Sequence, residues 1–214
     1  LLIVGGGIIG LEMASVYAEL GSRVPIVELA SDLMVGLDQD LVAPLEKSIL
    51  KIVEAIFKST RVSRIVSHKD SLSVDFDGPD VPSNMNFDKV LLAIGREPNT
   101  RGLGLEELGI QLSHDGFVSV DSMMCAAPSV YAVGDIVGAP MLAHKAAHQG
   151  KVAAEAVAGL KTEFSPLTIP SVAYTDPELA WTGATEEEAK KSGTDYSKGL
   201  YPWYASGRSL STGR

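Results

Sequence analysis

The first fifty residues alternate short apolar runs with longer segments in which apolar residues recur at helical spacing. The runs at 1–4 and 24–29 predict two buried strands, and the segments at 8–20 and 38–50 predict the helices that follow them. A strand, a helix, a second strand and a second helix in this order are typical of a parallel sheet with helices packed on its faces. The pattern therefore predicts an α/β protein whose first domain is Rossmann-like.

The rest of the chain has a less regular pattern. Alternating residues at 61–66 and 71–76 predict two β segments joined by a polar turn, and the apolar run at 87–94 predicts one long strand. An alanine-rich stretch at 143–160 predicts a long helix. The remaining predictions are short strands or strand-like runs at 117–120, 130–133, 171–174, 179–181 and 199–204, and a helix near 186–191.

Acidic residues outnumber basic ones, with 27 Asp and Glu against 18 Lys and Arg and a formal net charge of −9. This charge repels phosphate backbones and anionic lipids, and no cluster of basic residues offsets it. Apolar stretches such as 90–94 and 152–160 are also shorter than the roughly 18 residues that span a bilayer. We therefore expect neither nucleic acid nor a membrane as a partner.

The chain contains a single cysteine, Cys125, which excludes a disulfide within it. A lone cysteine is compatible with a reducing compartment, so we expect a cytoplasmic location, or the mitochondrial matrix in a eukaryote. Because the chain opens inside a predicted strand and stops without a terminal pattern, we also expect it to be an internal fragment of a longer protein.

The six residues that follow the first predicted strand and run into the start of the first predicted helix match the G-x-G-x-x-G pattern in its proper context. They are Gly5, Gly6, Gly7, Ile8, Ile9 and Gly10. In such a loop Gly5 permits the tight turn, Gly7 lets the backbone approach a pyrophosphate, and Gly10 lets the helix pack close to the strand. The N–H groups at the start of the helix then point to the phosphate.

An acidic residue, Glu28, ends the second predicted strand about twenty residues after the glycine loop, where a carboxylate accepts hydrogen bonds from the adenosine ribose. It favours NAD and repels the 2′-phosphate of NADP. The alternative is a plain glycine turn followed by a surface glutamate. Pro25 is unexpected beside it, because proline removes a hydrogen-bond donor from a strand that should be interior.

Further segments carry a resemblance to a known family. They are Ile9-Gly10-Leu11-Glu12, Ala93-Ile94-Gly95-Arg96-Glu97-Pro98-Asn99, Tyr131-Ala132-Val133-Gly134-Asp135 and Met141-Leu142-Ala143-His144-Lys145. Together they resemble successive signatures of the pyridine nucleotide-disulfide oxidoreductases. The segment at 171–181 is similar to the dihydrolipoamide dehydrogenase branch of that family, and the resemblance spans nearly the whole chain.

The resemblance implies one set of residues that line an NAD site, with Glu12 near the nicotinamide and Glu28 on the ribose. The set is Gly5, Gly6, Gly7, Ile8, Ile9, Gly10, Leu11, Glu12, Glu28, Val62 and Gly95. Three of these have structural alternatives. Glu12 could be a solvated helix residue, Val62 a core valine and Gly95 a strand terminator.

The resemblance also implies an FAD site, in which Asp135 binds the ribityl chain and four residues approach the flavin. These four are Met141, Leu142, Ala143 and His144. Asp135 could instead be an ordinary turn residue. His144 and His148 have a spacing that suits a metal, but no nearby cysteine or carboxylate completes a ligand set, so we expect no metal site. Neither histidine lies in the acid–base motif of the family that the chain resembles, so we also expect no catalytic residue in this chain.

The reaction implied by the resemblance passes two electrons from dihydrolipoamide to an enzyme disulfide, then to FAD and to NAD⁺. The cysteine pair and the acid–base residue would lie outside these residues, so the chain alone should be inactive. It would comprise an NAD-binding domain (1–95), a linker with the second segment of an FAD-binding domain (96–164), and the start of an α+β dimer-interface domain (165–214). The implied partners are a second copy in a homodimer and the lipoyl group of a 2-oxo acid dehydrogenase complex.

Two alternatives remain open from the sequence. The first is another member of the family, such as a glutathione or mercuric reductase or a transhydrogenase. The second is an NAD-binding module without a catalytic centre, which the lack of a cysteine pair would permit.

Overall fold

The computed structural model of the chain describes residues 1–213, so Arg214, the last residue of the third predicted part, lies outside the described residues. The strands are β1 (Leu2–Val4), β2 (Pro25–Val27), β3 (Ala55–Phe57), β4 (Arg61–Ser67), β5 (Leu72–Asp77), β6 (Asn84–Phe87), β7 (Val90–Leu92), β8 (Cys125–Ala127), β9 (Val130–Tyr131), β10 (Ser171–Ala173) and β11 (Leu179–Trp181). The α-helices are α1 (Ile8–Glu19), α2 (Gln39–Ile49), α3 (Ala143–Val157), α4 (Glu186–Ser192) and α5 (Gly207–Ser211).

Four parallel strands form the central sheet, in the order β3-β2-β1-β7. β1 lies between β2 and β7, so that Ile3 pairs with both Ile26 and Leu91. The chain leaves β1 toward β2 on one side and later returns as β7 on the other, which makes the carboxyl end of β1 a switch point. This arrangement confirms the predicted α/β, Rossmann-like fold.

The two faces of the parallel sheet contribute to separate hydrophobic clusters. Ile3 and Ile26 pack with the buried side chains of α1 and α2. Leu2 and Val27 pack with Phe76 and its neighbours in the antiparallel sheet β4-β5-β6. Successive residues of a strand point to opposite faces, so short apolar strands can serve both clusters.

The prediction of one long strand at 87–94 is wrong. Phe87 ends β6 and pairs with Leu72 of the antiparallel sheet, whereas Val90 begins β7 and pairs with Leu2 of the parallel sheet. The polar residues at 88–89 are exposed between them. The chain passes from one sheet to the other at these two residues. Because apolar residues lie on both sides of them, the sequence pattern predicts one continuous strand.

Other differences from the sequence-based prediction concern short elements. The structure adds β3 and β8, and the predicted strand at 117–120 forms only an isolated bridge between Val118 and Leu112. α3 ends at Val157, three residues before its predicted end. Pro25 is the first residue of the interior strand β2, a position at which a missing N–H is tolerated.

The C-terminal part packs against the first helices. Ala173 of β10 and Leu179 of β11 are buried in the same cluster as the apolar residues of α1 and α2. The Asp38 carboxylate accepts a hydrogen bond from the Glu186 N–H at the start of α4, with 2.9 Å between Oδ1 and N. The strand-like run predicted at 199–204 is wrong: a 3₁₀ turn and α5 follow instead, because Pro202 and the largely exposed aromatic residues around it pair with no strand in the described part of the chain.

Candidate dinucleotide-binding site

The glycine-rich loop connects β1 to α1 at the switch point of the sheet. Gly5 has a φ of +113°, and a Cβ on it would lie 2.3 Å from the carbonyl oxygen of Ala93. A Cβ on Gly10 would lie 1.9 Å from the carbonyl oxygen of Gly5. Both distances are far below van der Waals contact, so these two glycines let the loop turn tightly and let α1 approach the strand.

Gly7 differs from the other glycines of the loop. Its φ and ψ of −84° and −171° are open to any residue, and a Cβ on it would have no atom within 4 Å. Neither backbone conformation nor packing within residues 1–213 therefore requires glycine here. The first turn of α1 also has no side-chain cap and no acidic residue, so within residues 1–213 no side chain accepts from the N–H groups at its start.

Glu28 is anchored beside this open surface. Its Oε2 accepts a hydrogen bond from the Gly6 N–H at 2.6 Å, and its Oε1 accepts one from the Ala30 N–H at 2.8 Å. A Cβ on Gly6 would lie 2.5 Å from Leu33 Cδ2. The carboxylate at the end of β2 is thus held against the loop by two backbone donors, and each oxygen keeps a further lone pair.

The other predicted NAD contacts, outside the glycine-rich loop, lie in three different parts of the structure. Gly95, with a φ of +136°, is exposed just beyond Ala93, whose carbonyl lies against Gly5. Glu12 Oε1 accepts a hydrogen bond from the Tyr174 N–H at 2.8 Å and so is not a free helix residue. Val62 is half-buried in the cluster of the antiparallel sheet, as a core valine would be.

The three apolar residues of α1 in the predicted set also differ in exposure. Ile8 packs on the core cluster of α1, and Leu11 is fully buried in it. Ile9 is 45% exposed. Of the three, only Ile9 presents a large apolar surface outward at the start of α1.

Asp135 lies in a 3₁₀ turn (Gly134–Val137), at the start of the predicted FAD-contacting region. Its Oδ2 accepts a hydrogen bond from Arg96 Nη1 at 2.7 Å, and Arg96 Nη2 donates to the Met141 carbonyl at 2.8 Å. Within residues 1–213, Oδ1 has no hydrogen-bond partner. Arg96 therefore joins the loop after β7 to the turn that carries Asp135.

Two buried residues of α3 support this turn, and the sequence analysis assigned neither of them a role. Lys145 Nζ donates to the carbonyls of Gly134 and Gly138, and Gln149 Oε1 accepts a hydrogen bond from the Gly134 N–H at 2.8 Å. Burial lowers the pKa of Lys145, and the nearby Asp135 carboxylate opposes that shift. The available signal was two polar residues four positions apart in an alanine-rich helix.

The predicted flavin-contacting residues surround the start of α3. Met141 and Leu142 are half-buried, whereas Ala143 and His144 are exposed. His144 Nε2 lies 2.7 Å from the Pro170 carbonyl oxygen, and His148 contacts the Phe164 ring edge-on. Residues 1–213 contain no group of three or more side chains that could hold a metal ion.

The parallel sheet, the glycine-rich loop at its switch point and the uncapped helix that follows define an α/β protein of the dinucleotide-binding class. Comparison with known families makes this assignment more specific. The family model described as pyridine nucleotide-disulphide oxidoreductase matches residues 1–150, and the model of that family's dimerisation domain matches residues 169–214. The chain belongs to the pyridine nucleotide-disulphide oxidoreductase family, as the sequence motifs predicted.

Individual relatives agree with this assignment. A dihydrolipoyl dehydrogenase of Vibrio cholerae is 45% identical over 214 residues, which cover 99% of this chain and 45% of that protein. A dihydrolipoyl dehydrogenase of Haemophilus influenzae is 44% identical over 213 residues, 99% of this chain and 44% of that protein. The chain thus spans less than half the length of these relatives.

Solved structures show the same fold. LpdA of Mycobacterium tuberculosis superposes with a TM-score of 0.85 at 28% identity, covering 99% of this chain and 46% of that one. The HOCl-induced flavoprotein disulfide reductase RclA of Escherichia coli gives a TM-score of 0.86 at 28% identity, covering 99% and 48%. None of the helices within residues 1–213 has the length and apolar content needed to cross a membrane.

Proposed function

We propose that this chain is the NAD-binding portion of a dihydrolipoamide dehydrogenase. The observation that carries the proposal is the open surface at Gly7 beside the anchored Glu28 carboxylate. Nothing within residues 1–213 explains the glycine at position 7, and a pyrophosphate that needs close backbone approach supplies an explanation. The whole protein would oxidise dihydrolipoamide to lipoamide with reduction of NAD⁺.

In this proposal the first turn of α1, from Gly7 to Gly10, donates N–H groups to the pyrophosphate. Glu28 accepts hydrogen bonds from the adenosine ribose hydroxyls and repels a 2′-phosphate by charge. Glu12 and Gly95 lie toward the nicotinamide side of the loop, and Val62 contributes from the antiparallel sheet. The Glu28 carboxylate also argues against assigning the chain to the NADP-dependent members of the family.

The residues around Asp135 fit the second half of an FAD site. Oδ2 of Asp135 is held by Arg96, which leaves Oδ1 to accept a hydrogen bond from a ribityl hydroxyl. Met141, Leu142, Ala143 and His144 then approach the flavin from the start of α3. When bound, FAD and NAD supply the electron-transfer chemistry, and these residues bind and orient them.

The relatives named dihydrolipoyl dehydrogenase and the segment at 171–181 support lipoamide as the substrate. We divide the chain into an NAD-binding domain (1–95), a linker with part of an FAD-binding domain (96–164) and part of a dimer-interface domain (165–214). The match to the family's dimerisation domain supports a homodimer of the whole protein. Because Cys125 is the only cysteine, the chain by itself has no redox-active cysteine pair and should not catalyse the reaction.

Titration calorimetry of this chain with NAD⁺ and NADP⁺ tests the cofactor assignment. We expect NAD⁺ to bind at least about tenfold more tightly than NADP⁺, and Glu28→Gln to weaken NAD⁺ binding and narrow that difference. Glu19→Gln, an exposed carboxylate at the end of α1, is the matched control and should change neither affinity. Equal affinities for the two nucleotides in the unsubstituted chain would contradict the proposal.

The coding sequence on both sides of this chain tests the proposed reaction. We expect a second glycine-rich loop and two cysteines four residues apart upstream, and a histidine-proline segment with a glutamate downstream. The full-length protein should then form NADH from dihydrolipoamide, whereas the 214-residue chain supplied with FAD should not. Activity of the chain alone would contradict the proposal that the redox-active cysteine pair and the acid–base residue lie outside it.

A further inference from the structure

The turn that carries Asp135 is held by one face of α3. Gln149 lies three positions after Ala146 and four after Lys145, and residues at these two spacings are neighbours on a helix surface. A Cβ on Gly134 would lie 3.3 Å from Ala146 Cβ, so the turn packs directly on the helix. Lys145 and Gln149, on either side of this contact, are both only 4% exposed.

The Lys145 ammonium joins the two ends of the turn. It donates to the Gly134 carbonyl at 3.3 Å and to the Gly138 carbonyl at 2.5 Å. Both glycines have positive φ values, +86° and +117°, a region in which glycine moves freely. A donor that bridges the two carbonyls restricts that freedom and fixes the residues between them, including Asp135.

Gln149 completes the support at the first end of the turn. Its Oε1 accepts the Gly134 N–H at 2.8 Å, so both backbone polar groups of Gly134 are bound by side chains of α3. Burial of a charged ammonium is unfavourable unless nearby acceptors compensate for lost water. Here two carbonyls do so, and the Asp135 carboxylate lies near enough to oppose the effect of burial on the pKa of Lys145.

We propose that Lys145 and Gln149 are positioning residues for FAD, which hold the Gly134–Gly138 turn so that Asp135 Oδ1 faces the ribityl chain. They touch the turn and not the cofactor, so they act through Asp135. The inference rests on the proposed function, because it requires that Asp135 binds FAD. It adds two positioning residues that lie outside the glycine-aspartate motif.

The test uses the full-length protein that contains this chain, stripped of flavin and titrated with FAD. We compare Lys145→Met, Gln149→Leu and Gln149→Glu with the unsubstituted protein. Lys151→Met is the matched control, because Lys151 is an exposed lysine of the same helix whose only ion pair within residues 1–213 is with Glu155. Flavin fluorescence, the visible circular dichroism of bound flavin, NAD⁺ affinity and the melting temperature of the apoprotein are measured for each.

We expect Lys145→Met and Gln149→Leu to weaken FAD binding at least about tenfold and to change the flavin dichroism, while NAD⁺ affinity stays within about twofold. Gln149→Glu keeps an acceptor for the Gly134 N–H and should restore FAD affinity. Lys151→Met should have no effect.

Two results would overturn the positioning role. One is FAD affinity within twofold of the unsubstituted protein in both variants. The other is a loss of FAD and NAD⁺ affinity in step with a lower apoprotein melting temperature and no rescue by Gln149→Glu, which would show that these residues only maintain the fold. Failure of the unsubstituted protein to bind FAD would be recognised separately, and it would overturn the proposed function together with this inference.

Discussion

The Gly5–Gly10 loop runs into α1, and the Gly134–Gly138 turn comes before α3. Both segments present a candidate cofactor contact, but they are built differently. In the first, shape comes from glycines whose missing Cβ atoms let backbone segments meet. In the second, shape comes from Lys145 and Gln149, whose side chains hold the backbone by hydrogen bonds. Substitutions in the first segment should therefore act by steric clash with the backbone, whereas substitutions of the supporting side chains in the second should act by loss of hydrogen bonds.

The largest effect is expected within the first loop, for Gly10→Ala. The added Cβ would lie 1.9 Å from the Gly5 carbonyl oxygen, and both partners are backbone, so neither can move cheaply. We expect the free energy of unfolding to fall by about 3 kcal/mol or more, measured by urea denaturation. Gly150→Ala in α3 is the control: a Cβ there meets nothing within 4 Å, and helix propensity should raise stability by about 0.5–1 kcal/mol. Equal stability of the two variants would break the comparison.

Gly7→Ala should separate binding from folding. Because a Cβ at this position meets no protein atom, we expect the free energy of unfolding to change by less than about 0.5 kcal/mol. NAD⁺ affinity, measured by calorimetry, should fall about tenfold, since the methyl group would stand where the pyrophosphate approaches. Unchanged NAD⁺ affinity would mean that the open surface is not the phosphate site.

A smaller effect is expected at the contact between the loop after β7 and the Gly134–Gly138 turn. Arg96→Met removes the ion pair with Asp135 and the hydrogen bond to the Met141 carbonyl. Both charged side chains are about half exposed, so the change in stability should remain below about 1 kcal/mol, and FAD affinity of the full-length protein should fall about threefold. Arg101→Met, at an exposed arginine of the same linker, should leave flavin binding unchanged. A tenfold loss from Arg101→Met would show that the linker acts through charge in general.

The smallest expected effect is a difference between the two sites in how stability depends on pH. Burial lowers the pKa of Lys145 below 10.5, so between the lowered value and 10.5 the unfolded chain binds more protons than the folded chain. The stability of the unsubstituted protein relative to Lys145→Met should therefore increase as the pH rises through that window. The difference between the unsubstituted protein and Gly7→Ala should stay constant, because position 7 has no titratable group. Denaturation curves at several alkaline pH values measure both differences.

This contrast also explains what could be predicted from the sequence. Gly5, Gly10 and Glu28 follow a fixed spacing, because the backbone geometry of a strand, a loop and a helix imposes it, and α1 and α2 were predicted close to their observed bounds. The roles of Lys145 and Gln149 depend on how α3 packs against a turn several residues earlier in the chain. Spacing along one helix cannot reveal which backbone carbonyls will lie above it.

The errors in strand prediction have a similar origin. The run at 87–94 is apolar throughout most of its length, and only its partners reveal that β6 and β7 belong to different sheets. The residues at 199–204 have strand-like composition but no strand beside them within the described part of the chain. In both cases pairing, and not local composition, decides the structure.

The hydrogen bond from the Tyr174 N–H to Glu12 joins residues that are 162 positions apart. Ala173 and Leu179, on the same hairpin, fill the cluster that also contains Ile3 and Leu11. During synthesis α1 therefore leaves the ribosome long before the β10–β11 hairpin that packs against it. The apolar face of α1 stays uncovered until that hairpin has been made. Loop closure over such a distance is entropically costly, so we expect this contact to form late in folding. A chain shortened before Tyr174 would leave that face of the nucleotide-binding fold open to aggregation.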